Sequence, residues 1–210
     1  MGPCQIRNLI IINFFICCLG CAPSPYAHLQ TQASGTPCLN QLKPQFSKIL
    51  YNAQVNVTGN HLSGLLLFKT MTDSSIRVIF TSEMGLTFFD FEFRKNGFRV
   101  VSIQEKMNKK VVINRLRDDL GLLLMTSIDY EQPQWYVTGD ENYFKFESSK
   151  ESIYYVTNSN CTRLSRIETA SKKKKKILVN LTDYYSGMPD SVYLAHQSFE
   201  YNITLKQISH

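Results

Sequence analysis

Residues 76–103 read IRVIFTSEMGLTFFDFEFRKNGFRVVSI, and their period decides the fold. In 87–94 (TFFDFEFR), Phe89, Phe91 and Phe93 occupy one face, and Asp90, Glu92 and Arg94 the other. A period of two with opposite characters on the two faces predicts a half-buried β-strand. Lys95-Asn96-Gly97 is a hairpin turn signal, after which FRVVSI returns as a partner strand. On the other side, IRVIF leads into Ser82-Glu83-Met84-Gly85-Leu86. Turns favour Gly, Asn, Asp, Ser and Pro for backbone reasons. Gly85 fits that chemistry; Met84 and Leu86 do not, so the tip either folds back onto the core or presents apolar side chains outward.

The same period extends in both directions. QVNVTG, LSGLLLFKTMT and SIRVIFTS precede it as strands, and the last third alternates through QWYVTG, NYFKFES, SIYYVTN, RLSRIET, KKILVNLTDY, SVYLAHQ and FEYNITLKQI. Two segments read as helical. In LKPQFSKILYNA, Leu42, Phe46, Ile49, Leu50 and Ala53 share one helical face, with Pro44 in the first turn. In 108–125, Val112, Leu116, Leu120 and Leu124 recur every four residues, with Ile113 and Leu123 beside them. The expectation is an α+β, mostly β domain: about ten strands and two helices, with a large antiparallel sheet that must curl or split.

The N-terminus has a different character. Arg7 precedes an apolar stretch, Leu9–Gly20, too short to span a bilayer comfortably and typical of a secretory signal. Leu19-Gly20-Cys21 resembles the end of a bacterial lipobox, with Cys18 in place of the usual leucine. That reading makes 1–20 a lipoprotein signal peptide, Cys21 the lipidated residue, and 21–40 the anchor and a flexible tether rich in Pro, Ser, Ala and Gln. The folded domain would then be 41–210. An ordinary signal peptide with incidental cysteines is the alternative. Behind Cys21, Cys38 and Cys161 remain; they can pair in an oxidising compartment or stay free.

Composition narrows the function classes. The chain is 43% hydrophobic and 12% aromatic, enough for a sizeable core or a large apolar cavity. The net charge of +6 suits anionic membranes or acidic partners, and no basic, aromatic-interleaved motif points to nucleic acid. His28, His61, His196 and His210 are scattered without metal-ligand spacing, so no metal is expected. No GxSxG, P-loop or paired-carboxylate pattern appears, and adjacent Asp118 and Asp119 face different ways on a helix. The chain is therefore read as a non-enzyme without a cofactor. Five lysines at 172–176 are compatible with contact to anionic lipid or an acidic carrier, but are read as a solvated loop or a charged edge that blocks aggregation. Four Asn-x-Thr sequons, at Asn56, Asn160, Asn180 and Asn202, are read as solvent-face alternation.

Three segments, LSGLLLFK (62–69), VIFTSEMGLTFFDFEF (78–93) and MPDSVYLAHQSFEYNITLKQI (188–208), together with the order of lipobox, tether, helix, strands, helix and meander, resemble the LolA/LolB superfamily, LolB in particular. The resemblance covers roughly 40–208 in layout. It implies an unclosed antiparallel β-barrel, with helices as a lid over an apolar concave face that accommodates acyl chains. It implies an outer-membrane, lipid-anchored, periplasm-facing monomer that accepts acylated lipoproteins from a LolA-like periplasmic carrier and delivers them to membrane lipid. Met84, with Leu86, falls where the family carries an exposed apolar residue, usually leucine, that contacts the membrane. Phe89, Phe91, Phe93, Phe144 and Phe146, with Leu116, Leu120 and Leu124 from the lid, are the candidate cavity residues. Ordinary core is the competing assignment for each. The rival functions are a related half-barrel lipoprotein for another envelope ligand and a structural surface lipoprotein with a filled core.

Overall fold

The structure, a computed structural model, describes residues 24–31, 38–126, 133–147, 151–182 and 189–208. The signal peptide and Cys21 lie outside the described residues, as does Met188. Among the described residues the strands are β1 (Gln30–Thr31), β2 (Lys48–Val57), β3 (Asn60–Thr70), β4 (Ile76–Thr81), β5 (Thr87–Arg94), β6 (Gly97–Ile103), β7 (Gln134–Thr138), β8 (Glu141–Glu147), β9 (Ser152–Asn158), β10 (Leu164–Ala170), β11 (Lys175–Thr182), β12 (Ser191–His196) and β13 (Tyr201–Gln207). One α-helix, α1 (Lys110–Leu124), follows β6. The strands form a single sheet in the order β1-β7-β8-β9-β10-β11-β12-β13-β2-β3-β4-β5-β6. Every neighbouring pair is antiparallel, and β1 and β6 are left as its two edges. The fold is thus an unclosed antiparallel half-barrel carrying one helix.

Alternation sets the inner face. Phe89, Phe91 and Phe93 lie opposite Phe80, Val78 and Ile76 of β4, and all six point into the core. On the outer face Arg77 pairs with Asp90, and Glu92 lies between Arg94 and Arg99. The close approach of β3 and β4 has a local cause at Gly64. A Cβ there would lie 1.9 Å from the backbone oxygen of Thr81, so only glycine lets β4 approach so closely.

The first expected helix is corrected. Residues 48–57, which include Ile49, Leu50 and Ala53, form β2, and only Cys38–Leu42 turns, as a short 3-10 helix. β2 pairs with β3 along its whole length and with β13 over Tyr51–Val57, so both its hydrogen-bonding edges are used. Tyr51, Ala53, Val55 and Val57 alternate inward, and that ladder outweighs a helical period of a few apolar residues.

The two rims of the half-barrel differ. Since all neighbours are antiparallel, the turns 58–59, 82–86, 171–174 and 197–200 fall on one rim, called the upper rim here. Backbone bonds join its parts: Thr58 donates to Glu200 (3.0 Å) and Gln197 to Lys176 (2.8 Å). The lower rim is plugged by the 3-10 turn, whose Leu39 and Leu42 enter the core. Cys38 of that turn is joined by a disulfide to Cys161 in the β9–β10 turn.

Part of the stretch expected as free tether is docked. β1 pairs with β7, and the buried Tyr26 stacks on Tyr154 on the outer face, with centroids 3.8 Å apart. Tyr26 belongs to a second apolar cluster with Tyr143, Tyr154, Val156 and Ala170. Its hydroxyl donates to the buried carboxylate of Glu168, which also accepts from Arg166 and Lys175.

Candidate functional site: an apolar groove at the upper rim

Tyr201, Val57 and Asn60 form one row across β13, β2 and β3, and Ile203, Val55 and Leu62 form the next. These residues sit near the upper rim, at the opposite end of the strands from the Cys38–Leu42 turn. The link after β6 brings Gln104, Lys106 and Met107 across the mouth, and α1 follows with Val111, Val112, Arg115 and Leu116. Between helix and sheet lies a groove of about 670 Å3, with Phe199 and Tyr201 in its lining. Its walls are mainly aliphatic and aromatic, and its only ionisable lining groups besides Tyr201 are two cations, Lys106 and Arg115. Arg115 packs its guanidinium 5.6 Å from the centre of the Phe199 ring. The volume falls inside the range of about 300–1,000 Å3 usual for small-ligand sites.

The helix is held in place by a polar contact inside an apolar core. Its C-terminal half is buried all round, while Val111 near its start is exposed. Asp119, fully buried, takes His196 Nε2 at 3.1 Å from each carboxylate oxygen. The imidazole packs against Phe199 and Tyr201, with centroids 5.0 and 4.7 Å away. Burial, and then the nearby Asp119 charge, push the Tyr201 phenol well above its ordinary value. At the far end, Tyr155 donates its hydroxyl to the Leu122 carbonyl at 3.1 Å. Met125 ends the helix with a left-handed backbone (φ 54°).

The expected cavity residues separate into two groups. Phe89, Phe91, Phe93, Leu116, Leu120, Leu124, Phe144 and Phe146 are all buried in one continuous core. Only Leu116 reaches the groove; the other seven pack against one another and their neighbours. The groove residues on β2, β3 and β13 went unassigned at the sequence level, although Val55, Val57, Leu62 and Tyr201 show the inward half of an alternation. Asp119 and His196, 77 residues apart, carry no shared motif that would bring them together.

The tip between β4 and β5 points outward. Met84 is 96% exposed and Leu86 54%. Glu83, Met84 and Gly85 form a three-residue loop in which Gly85 N–H donates to the Ser82 carbonyl (2.9 Å). Leu86 N–H donates to the Ser82 hydroxyl (3.0 Å), and Gly85 takes φ +84°, the left-handed residue such loops require. Glycine satisfies the backbone, so nothing in the turn geometry calls for methionine. Among the described residues, no three His, Cys, Asp or Glu side chains come together as a metal site. No described helix is long and apolar enough to cross a membrane.

No family model and no curated protein matches the chain. Among solved structures, a LolA superfamily protein from Nitrosomonas europaea overlaps 82% of this chain and 90% of its own, at 9% identity and TM-score 0.46. A DUF1329 family protein from Desulfovibrio piger overlaps 81% and 87%, at 9% identity and TM-score 0.44. Both overlaps are loose in geometry and low in identity.

Proposed function

We propose that the protein binds acyl chains in the groove between α1 and β13-β2-β3 and passes them to a membrane at the upper rim. The observation carrying this reading is that an apolar groove and an exposed apolar tip share one rim of the sheet. An acyl chain is stabilised by about 0.8 kcal/mol per methylene when it leaves water. Moving it between two apolar sites is therefore nearly balanced, and a small affinity difference suffices to give direction without nucleotide hydrolysis. In this reading Cys21 is the acylated anchor, the protein sits at the periplasmic side of an outer membrane, and its cargo is acylated lipoprotein delivered by a LolA-like soluble carrier. Met84 and Leu86 enter the interfacial layer beside the groove mouth. The role is binding and transfer rather than catalysis.

The test has two parts. A fluorescent long-chain acyl probe is titrated into the full chain and into Leu62→Arg, which places a charge in the groove wall. The variant should bind at least about tenfold more weakly, the discrimination expected when a charge enters an apolar site. Equal binding would remove the groove from consideration. The full chain is then mixed with a carrier holding an acylated lipoprotein, followed by liposomes. Met84→Glu should accept cargo normally and fail to release it to liposomes; a variant that releases cargo as the wild type does would take the tip out of the mechanism.

A further inference from the structure

We infer that Lys172, Lys173 and Lys174 are a headgroup contact for anionic lipid that seats the upper rim on the bilayer. This rests on the transfer reading above and adds to it the surface chemistry of the membrane. The three lysines occupy the β10–β11 turn, which lies on the upper rim with Met84, Leu86 and Phe199. All three are exposed, and none forms an ion pair among the described residues. The next two lysines are differently placed: Lys175 bonds Glu168 and Lys176 bonds Glu151, so the run divides into two structural and three uncommitted cations.

Turn geometry does not explain the lysines. Ser171 N–H donates to the Lys174 carbonyl at 3.0 Å, leaving Lys172 and Lys173 as the tip. Tight tips of this size favour Asn, Asp or Gly, and adjacent like charges repel. Of the acids at this rim, Glu151 is paired with Lys176 and Glu147 with Lys145, although Lys172 also acts on the Glu147 carboxylate; Glu83, Glu105 and Glu200 lie on other turns and links of the rim.

The docked N-terminal segment supplies an independent observation. Lys175 Nζ lies 5.4 Å from the centre of the Tyr26 ring, so the segment is fastened directly beneath the lysine turn. Cys21 precedes Tyr26 by five residues, which reach at most about 17 Å when extended. An acyl anchor at Cys21 is thereby confined near these lysines. One acyl attachment and one basic cluster acting together bind a bilayer far more firmly than either alone.

The experiment measures partitioning of the full chain onto vesicles of phosphatidylcholine, and onto vesicles of equal parts phosphatidylcholine and phosphatidylglycerol, at low salt. The ratio of the two affinities removes whatever the N-terminal apolar residues contribute to both. Lys172→Gln, Lys173→Gln and Lys174→Gln combined should lower that ratio by roughly 100-fold, from the known strength of a lysine at an anionic surface. The wild-type ratio should also fall as salt is raised. A control changes the same charge on the lower rim: Lys69→Gln, Lys95→Gln and Lys206→Gln combined, which should leave most of the ratio intact. An unchanged ratio in the first variant would overturn the inference and leave the lysines to an acidic protein partner or to solvent. An equal loss in both variants would also overturn it, by reducing the effect to net charge. The first variant should still bind the acyl probe. If the wild type fails to bind that probe, the groove reading falls while the vesicle ratio still decides the lysines.

Discussion

Glu168 shows how one residue ties the N-terminal segment to the sheet. Its side chain is buried on the outer face, a cost that raises a carboxyl pKa, yet hydrogen bonds from Lys175, Tyr26 and Arg166 hold it below its ordinary value of 4.5. Glu141, bonded to Arg166, is lowered for the same reason, against the opposing effect of burial. Both groups have folded values below their unfolded ones, so their stabilisation is present at neutral pH and is lost as pH falls through the folded values. A melting curve should therefore hold steady from neutral pH to about 4.5 and drop below it. Glu168→Gln should flatten part of that drop. Tyr26→Phe removes a single donor to this carboxylate and should cost about 1.5–3 kcal/mol, the range for hydrogen bonds to charged groups. Limited proteolysis between residues 24 and 31 should rise with it. If Tyr26→Phe neither melts earlier nor is cut faster, the segment is held by β1 and ring stacking alone. Gly64 makes an opposite kind of demand. Adding one methyl group against the Thr81 carbonyl forces β3 and β4 apart, so Gly64→Ala should cost at least about 3 kcal/mol in chemical denaturation.

The elements α1 and β2 show where a sequence pattern can be trusted. Val112, Leu116, Leu120 and Leu124 recur every four residues, with Ile113 and Leu123 beside them, and the fifteen-residue α1 forms there. In 42–53 the same period was supported by few residues, and the strand-like alternation of 51–57 began before it ended. Two-sided pairing with β3 and β13 then decided the outcome, and no local signal carries that information. The groove was hidden for a related reason. The resemblance pointed to Phe89, Phe91 and Phe93, which pack in the core, while the groove lies where Val55, Val57 and Leu62 meet the first turns of α1. Asp119 was visible only as half of an acidic pair, because His196 reaches it through the fold. That contact should hold the helix over the groove. Asp119→Ala would leave the buried imidazole without its acceptor and should destabilise the protein by about 1–3 kcal/mol. Asp119→Asn, which keeps one acceptor oxygen, should lose less. Urea unfolding of the two variants separates these cases, and equal losses would mean that charge, not the hydrogen bond, holds the helix.

At the scale of the whole molecule, among the described residues one rim of the half-barrel carries the Cys38–Leu42 turn and the other carries the groove beneath α1. The chain's alternation and its resemblance to a known family made the unclosed sheet and its helix legible, since period and element order are local properties. Which rim is plugged was not legible, because the plug is a five-residue 3-10 turn pinned to a distant hairpin. The disulfide between Cys38 and Cys161 spans 123 residues and ties the plug to the β9–β10 turn. Cross-linking so long a loop restricts the unfolded chain and stabilises the fold by about 4–5 kcal/mol in the chain-entropy account. The paired replacement of Cys38 and Cys161 by serine should therefore lower the denaturation midpoint strongly, and so should reduction of the wild type. The two rims should respond differently. Loosening the plug exposes Leu39 and Leu42 at the lower rim, while α1, fastened by Asp119 and His196, still covers the groove at the upper one. At temperatures where the variant remains folded, its affinity for an acyl probe should stay within about twofold of wild type, as expected for sites without shared partners. Loss of probe binding in step with stability would instead show that the plug and the groove belong to one cooperative unit, and that the lower rim helps to shape the groove at the upper one.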